Sequence, residues 1–149
     1  MEPIYPLIST GVKGPLGIAH LPRLWLKILL HACGRLPEGY RHGGGGFDQM
    51  TCEDLGIDEA AFVTYIEDAK PSYLQLEVWV RENATKIDPA SIAAHNEKLG
   101  TWKMREEVAS ERRARFGIDD PTCADATLLN DLDDWDLAHA QLISMATPV

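Results

Sequence analysis

Four basic residues stand at the spacing of a helix face: His20, Arg23, Lys27 and His31. At 3.6 residues per turn they fall within about 80° of one another. Their chemistries complement each other. Arg23 offers a planar fork that grips a carboxylate or phosphate, and Lys27 offers a point charge that becomes a reactive amine when desolvated. His20 and His31 add proton transfer near neutral pH. The loop Tyr40-Arg41-His42-Gly43-Gly44-Gly45-Gly46 follows closely. As a lid over the row it would bring in Tyr40 as a hydrogen-bond donor and His42 as a second acid–base group; as a surface insertion it would bring nothing. The row also has two readings. It is either a ligand site or a line of ion pairs answered by Glu38, Asp48, Glu53 or the aspartate-rich C-terminal segment.

The segment that must position the row is Leu21 to Cys33, apolar in nearly every other direction through Leu21, Leu24, Trp25, Leu26, Ile28, Leu29 and Leu30. A helix so apolar is buried, and its basic row must then face water, acids or a ligand. Pro22 is tolerated in the first turn and Gly34 suits the residue just past the end. Residues 1–19, broken by Pro3, Pro6, Pro15, Gly11, Gly14 and Gly17, read as an extended arm.

Further along, Asp48 reads as the cap of a short helix to Leu55 closed by Gly56, and Asp58 as the next cap, with Phe62, Tyr65, Ile66 and Ala69 in helical register. Pro71-Ser72 restarts the chain into an apolar helix holding Tyr73, Leu76, Trp79 and Val80. Asp88-Pro89 starts another, closed by Gly100, with Ile92, Asn96 and Leu99 on one face. Thr101 to Phe116 reads as a surface helix ended by Gly117. Residues 117–149 carry seven aspartates and no lysine or arginine, with Leu128, Leu129, Leu132 and Trp135 expected to fasten them and a short helix from about Asp136 to Met145. No alternating strand pattern occurs. The expectation is one all-α domain over 1–149, a bundle of six or seven helices with an irregular arm, a glycine-rich loop and an acidic end at 117–149.

Composition removes several function classes. The chain has 149 residues, is 45% hydrophobic and carries a net charge of −9. That balance opposes nucleic-acid binding and docking on anionic membranes. No run of about 18 apolar residues is present and the N-terminus lacks a signal-peptide pattern. Cys33, Cys52 and Cys123 are odd in number and without CxxC spacing, which favours reduced thiols and a cytoplasmic setting. The glycine run has neither a dinucleotide-binding register nor a Lys-Ser/Thr step, and no cofactor is expected. No metal is expected either. His31 and Cys33 do not share a helix face, and the aspartates around Asp131 lack the glycine and bidentate glutamate of a calcium loop. Cys33 and Cys52 would need a histidine partner in space to act as nucleophiles. Tyr65 and Trp79 read as core or pocket lining, and Asn96 as a buried amide that must be satisfied.

The pattern GIAHLPRLWLKILLHACGRLPEGY, then FD, LGIDEAAF, EVWVRENA, IAAHNEKL and ATLLNDLDDWD resembles a bacterial helical family, domain of unknown function five thousand and sixty-nine, over roughly residues 14–136. The resemblance implies that Arg23 and Lys27 correspond to the family's arginine and lysine. Glu38 and Tyr40 stand near its Glu-Tyr turn, Asp48 matches its aspartate and Asn96 its asparagine. This chain departs at Leu26 and Leu29, where the family has an aspartate and an arginine. It departs again at the inserted Gly39, at His95 in place of tryptophan, and in the four-glycine run. The resemblance implies a helical fold and no reaction.

Two functions remain as expectations. The first is a cofactor-independent enzyme or binding protein for an anionic or carbonyl-containing small molecule, with a pocket between the Leu21–Cys33 helix, the Gly43–Gly46 loop and the Tyr65–Trp79 region. Lys27, His31, His42 and Tyr40 would serve catalysis of isomerase, lyase or hydrolase type. Arg23, His20, Tyr65, Trp79 and Asn96 would bind substrate. The second is an interaction domain that offers its acidic C-terminal segment to a basic partner. A chain this apolar could also form a homodimer.

Overall fold

The apolar Leu21–Ala32 segment forms the central helix, α1, of a computed structural model that describes residues 2–146. Six more helices follow: α2 (Gly46–Leu55), α3 (Glu59–Ala69), α4 (Tyr73–Asn83), α5 (Pro89–Gly100), α6 (Glu106–Phe116) and α7 (Ala126–Met145). No strand occurs among the described residues. α1 packs on α3 and α4, α2 packs on α3 and α5, and α6 pairs with α7. The core gathers Ile18, Leu21, Leu24 and Ile28 around α1, Leu55 and Ile57 from the second helix and its turn, and Phe62, Ile66, Leu76 and Val80 from α3 and α4. The all-α single domain is therefore what the sequence leads one to expect.

Local chemistry explains most helix ends. Asp58, Ser72 and Asp88 each accept a backbone N–H in the first turn, and Ser72 with Gln75 forms a reciprocal capping box. Gly56 and Gly117 close α2 and α6 in the left-handed conformation. Three helix starts need correction. α2 begins at Gly46 behind Gly45, so Asp48 lies inside its first turn and does not cap it. α6 starts at Glu106, because residues 101–105 are held by Met104 N–H to Ala124 O (2.7 Å), Ala126 N–H to Trp102 O (3.0 Å) and a Lys103–Asp125 bridge. The last helix starts at Ala126 instead of Asp136, capped by Asp125. Its aspartates are tolerated because α1 and α6 answer them: Arg23 meets Asp134, and Arg115 meets Asp133 at 2.7 Å. Of the residues expected to fasten this segment, Leu129 is fully buried, whereas Leu128 and Trp135 face solvent.

The N-terminal arm is extended, as expected, but it is tied down. Ala19 N–H donates to Asn96 Oδ1 (2.8 Å), and Asn96 Nδ2 returns to Gly17 O (2.7 Å). Leu16 N–H reaches both oxygens of the buried Glu77, which also accepts the Tyr73 hydroxyl. Gly14 lies on this pair. A Cβ there would stand 2.6 Å from Glu77 Oε2 and 2.7 Å from the Tyr73 hydroxyl oxygen. Gly14→Ala is therefore expected to lower stability by about 1–3 kcal/mol through overpacking, read as a lower urea midpoint. An unchanged midpoint would show that the arm is free to lift.

Candidate functional site

The basic row lies along one wall of a cleft of about 690 Å³ between α1, the 38–47 loop and start of α2, the 102–105 segment and the α6–α7 pair. Its deepest members form a chain of hydrogen bonds. His20 Nε2 lies 2.7 Å from Asp48 Oδ1, and His20 Nδ1 lies 3.0 Å from Thr10 Oγ1. Lys27 Nζ donates to Asp48 Oδ1 (2.8 Å) and Oδ2 (2.9 Å), and Gly43 N–H donates to Oδ2 (2.9 Å). Asp48 sits in the first turn of α2, where the helix dipole favours a carboxylate. All four side chains are buried.

His20 is held there at a conformational cost. It is the residue that precedes α1, yet its side chain does not cap the helix, and its backbone is left-handed at φ 71°, ψ −22°. Among the described residues only His20 and Lys70 adopt positive φ without being glycine. Such a conformation costs a residue with a Cβ roughly 1–2 kcal/mol. His20 N–H to Thr10 O (2.8 Å) stabilises it, as does the anchoring of Gly17 and Ala19 by α5. The result turns the imidazole away from the helix end and toward Asp48.

The protonation states follow from the partners. Burial is the largest influence on His20 and outweighs Asp48, so its pKa is pushed down to about 4 and the ring is neutral at pH 7. Burial would raise the Asp48 carboxyl, but hydrogen bonds from His20 and Lys27 and the lysine charge win and lower it to about 2. An ionised carboxylate only accepts. His20 Nε2 therefore carries the ring proton, Nδ1 is left with its lone pair, and the Thr10 hydroxyl donates to it. Burial lowers Lys27 as well, opposed by Asp48.

This arrangement gives stability a definite pH dependence. Between pH 6.5 and about 4 the unfolded chain binds a proton on His20 that the folded chain refuses, so stability falls as pH falls through that window. Between pH 7 and pH 4.5 the His20 contribution is about 2 kcal/mol. His20→Asn should remove that slope in urea titrations. A slope as steep in the variant as in the parent would assign it to other groups.

The second half of the row is an ion pair. Arg23 donates to Asp134 Oδ2 (2.6 Å) and Oδ1 (3.4 Å), and also to the carbonyls of Pro6 (2.8 Å) and Ile8 (2.9 Å). Tyr40 donates to Asp134 Oδ1 at 2.7 Å. Burial raises the Tyr40 pKa, and the Asp134 hydrogen bond and charge raise it further, so Tyr40 is a donor and no base. Asp48 and Asp134 are thus the acids that answer Lys27 and Arg23.

His20, Arg23, Lys27 and Tyr40 line one cleft. The other residues expected at the site do not line it, and each has another use. His31 and His42 stack on each other, ring centroids 3.6 Å apart. Tyr65 stacks on Trp79 at 5.3 Å, and Trp79 packs on Phe62 of the core. Asn96 ties the arm to α5. Arg23 is too fully engaged to serve as a free clamp for an anion. Cys52 is buried and its thiol is pushed up to about 12, chiefly by burial, so it is a packing residue; Cys33 is exposed. Among the described residues no cluster of three or more His, Cys, Asp or Glu could hold a metal.

The cations available to a ligand are ones the sequence did not single out. Arg41 and Arg105 line the cleft, are exposed, and have no acidic partner among the described residues. The glycine run is what admits Arg41. Gly45 and Gly46 both have positive φ, and a Cβ at Gly45 would stand 2.8 Å from Arg41 Nη1. Phe47, Met50, Trp102 and Met104 line the same cleft and make it partly apolar, with Phe47 edge-on to both His20 and Trp102.

The chain belongs to the family described as Domain of unknown function (DUF5069), whose model matches residues 14–136. His20, Arg23, Lys27, Tyr40, Asp48 and Asp134 lie inside that span, and Thr10 precedes it. No curated protein matches the chain. No helix among the described residues is long and apolar enough to cross a membrane.

Proposed function

We propose that the cleft binds an amphipathic small-molecule anion, with His20 poised to move a proton on it and no cofactor required. The observation that carries this reading is the pairing of opposites around the cleft. Arg41 and Arg105 stand free at its edge, Phe47, Met50, Trp102 and Met104 make its lining partly apolar, and the neutral His20 lines it too. Arg41 and Arg105 replace Arg23 as the anion clamp. Lys27 holds Asp48 ionised, and Tyr40 fixes Asp134. A carboxylate with an apolar body, or a carbonyl compound carrying an acid group, satisfies both kinds of lining.

Thermal denaturation against aliphatic and aromatic carboxylates and phosphorylated metabolites tests the reading. The expected result is a melt raised by several degrees with an amphipathic acid, and lost in both Arg41→Ala and Arg105→Ala. Stabilisation that survives both substitutions, or none with any acid, would overturn it. A second reading, an interaction domain, rests on α7, where Trp135, Leu142, Ile143 and Met145 are exposed beside Asp136. A basic amphipathic peptide that raised the melt while no small acid did would favour it.

A further inference from the structure

We infer that Thr10 is a nucleophile and that the cleft accepts activated acyl compounds, esters or thioesters of amphipathic acids. The inference rests on the reading of the cleft as the small-molecule site. Its own ground is the direction of the hydrogen bonds. Thr10 Oγ–H donates to His20 Nδ1, and His20 Nε2–H donates to Asp48 Oδ1, at 3.0 and 2.7 Å. A hydroxyl aimed at the free lone pair of an imidazole, whose other nitrogen is fixed by a buried carboxylate, is the geometry that activates an alcohol for acyl transfer. The ring nitrogens are exchanged relative to the serine-hydrolase triad, Nδ1 facing the hydroxyl and Nε2 the acid. Three different segments supply the members: the arm, the residue before α1 and the first turn of α2.

His20 packs edge-on to Phe47 and satisfies Asp48 through Nε2, which leaves Nδ1 to face the Thr10 hydroxyl. The chain accepts a left-handed backbone at a residue with a Cβ to put it there. Thr10 is nearly closed to solvent, yet it lines the cleft together with His20 and Lys27. Lys27 Nζ carries three hydrogens, and Asp48 accepts through two oxygens. The remaining hydrogen is suited to a developing oxyanion.

The reaction balances without a further reagent. Thr10 Oγ adds to the acyl carbon while its proton passes to His20 Nδ1. The bond from the acyl carbon to the leaving oxygen or sulfur breaks, and His20 returns the proton to that atom. Water then gives a proton to the same nitrogen and its hydroxide displaces Thr10, which recovers its proton from His20. The sum is ester or thioester plus water to acid plus alcohol or thiol.

The 4-nitrophenyl monoesters of adipic and hexanoic acid test this. The full chain should release a burst of about one equivalent of nitrophenolate, and peptide mass mapping should place the acyl group on Thr10. Thr10→Ser should keep the burst. Thr10→Val, which preserves shape, should melt within a few degrees of the parent and lose acylation by roughly 10³-fold or more, as should His20→Asn. If adipate and hexanoate raise the melt but no acyl group appears on Thr10, the nucleophile is overturned and the binding reading stands. Acylation at Lys27 or Cys33 with Thr10 unmodified also overturns it. If neither acid binds and no burst occurs, both readings fail.

Discussion

Asp48→Ala is expected to lower the unfolding free energy by about 3–5 kcal/mol, the usual cost of leaving one member of a buried ion pair without its partner. One carboxylate accepts hydrogen bonds from His20, Lys27 and the Gly43 backbone. Its loss strands an ammonium that is only 6% exposed. Typical domains have 5–15 kcal/mol in total, so the variant should be folded only marginally at 25 °C.

Two controls make the expectation specific. Lys27 already has a pKa lowered by burial, and without Asp48 nothing opposes that direction. The unfolded chain then binds a proton on Lys27 that the folded chain refuses. The variant should therefore regain stability as pH rises toward the ordinary lysine value of 10.5. The double variant Lys27→Met/Asp48→Leu should be more stable than Asp48→Ala, because it removes both charges. Urea midpoints at pH 7 and pH 9.5 decide the matter. Equal losses at both values, with no recovery in the double variant, would show that Asp48 acts by packing alone.

The sequence exposed the parts of the site that are local and hid those that are not. His20, Arg23, Lys27 and His31 announce themselves through spacing on one helix, and three of them do line the cleft. Asp58, Ser72 and Asp88 are legible as caps because capping is settled within four residues. The partners of the row come from 21, 28 and 111 positions away, and no periodicity links them. Leu26, where the resemblance implies an aspartate, shows the same limit: the acids for this face come from α2 and α7. Thr10 lies in an arm without periodic pattern, so its meeting with His20 depends on how Gly17–Ala19 docks against α5. The start of α7 was hidden because a run of aspartates lowers helix propensity, and the arginines that offset their charges belong to α1 and α6. The glycine run suggested a lid, whereas its geometry makes room for Arg41. One signal of the site is local: a histidine stands where serine or aspartate would normally begin a helix.

Asp134→Ala should also cost about 3 kcal/mol or more, but its response to conditions should differ. Arg23 is buried against Asp134, and guanidinium groups in general stay charged, so raising the pH should give no recovery. Arg23 keeps two partners, the carbonyls of Pro6 and Ile8, while Tyr40 loses its acceptor. The bonds that remain hold the arm to α1; those that are lost join α7 to α1 and to the Tyr40 loop. Limited trypsin digestion should accordingly cut the α6–α7 region before the arm. Asp134→Asn retains one acceptor oxygen, in place of the two that Arg23 and Tyr40 use, and should be the milder variant. The guanidinium left without its carboxylate in Asp134→Ala also creates an anion site that the parent's ion pair occupies. Phosphate or sulfate should stabilise that variant by about 1.5–3 kcal/mol more than the parent, the range of a hydrogen bond to a charged group. Equal responses to the anions would mean that Arg23 has found another acid, and the cleft would then owe its positive charge to Arg41 and Arg105 alone.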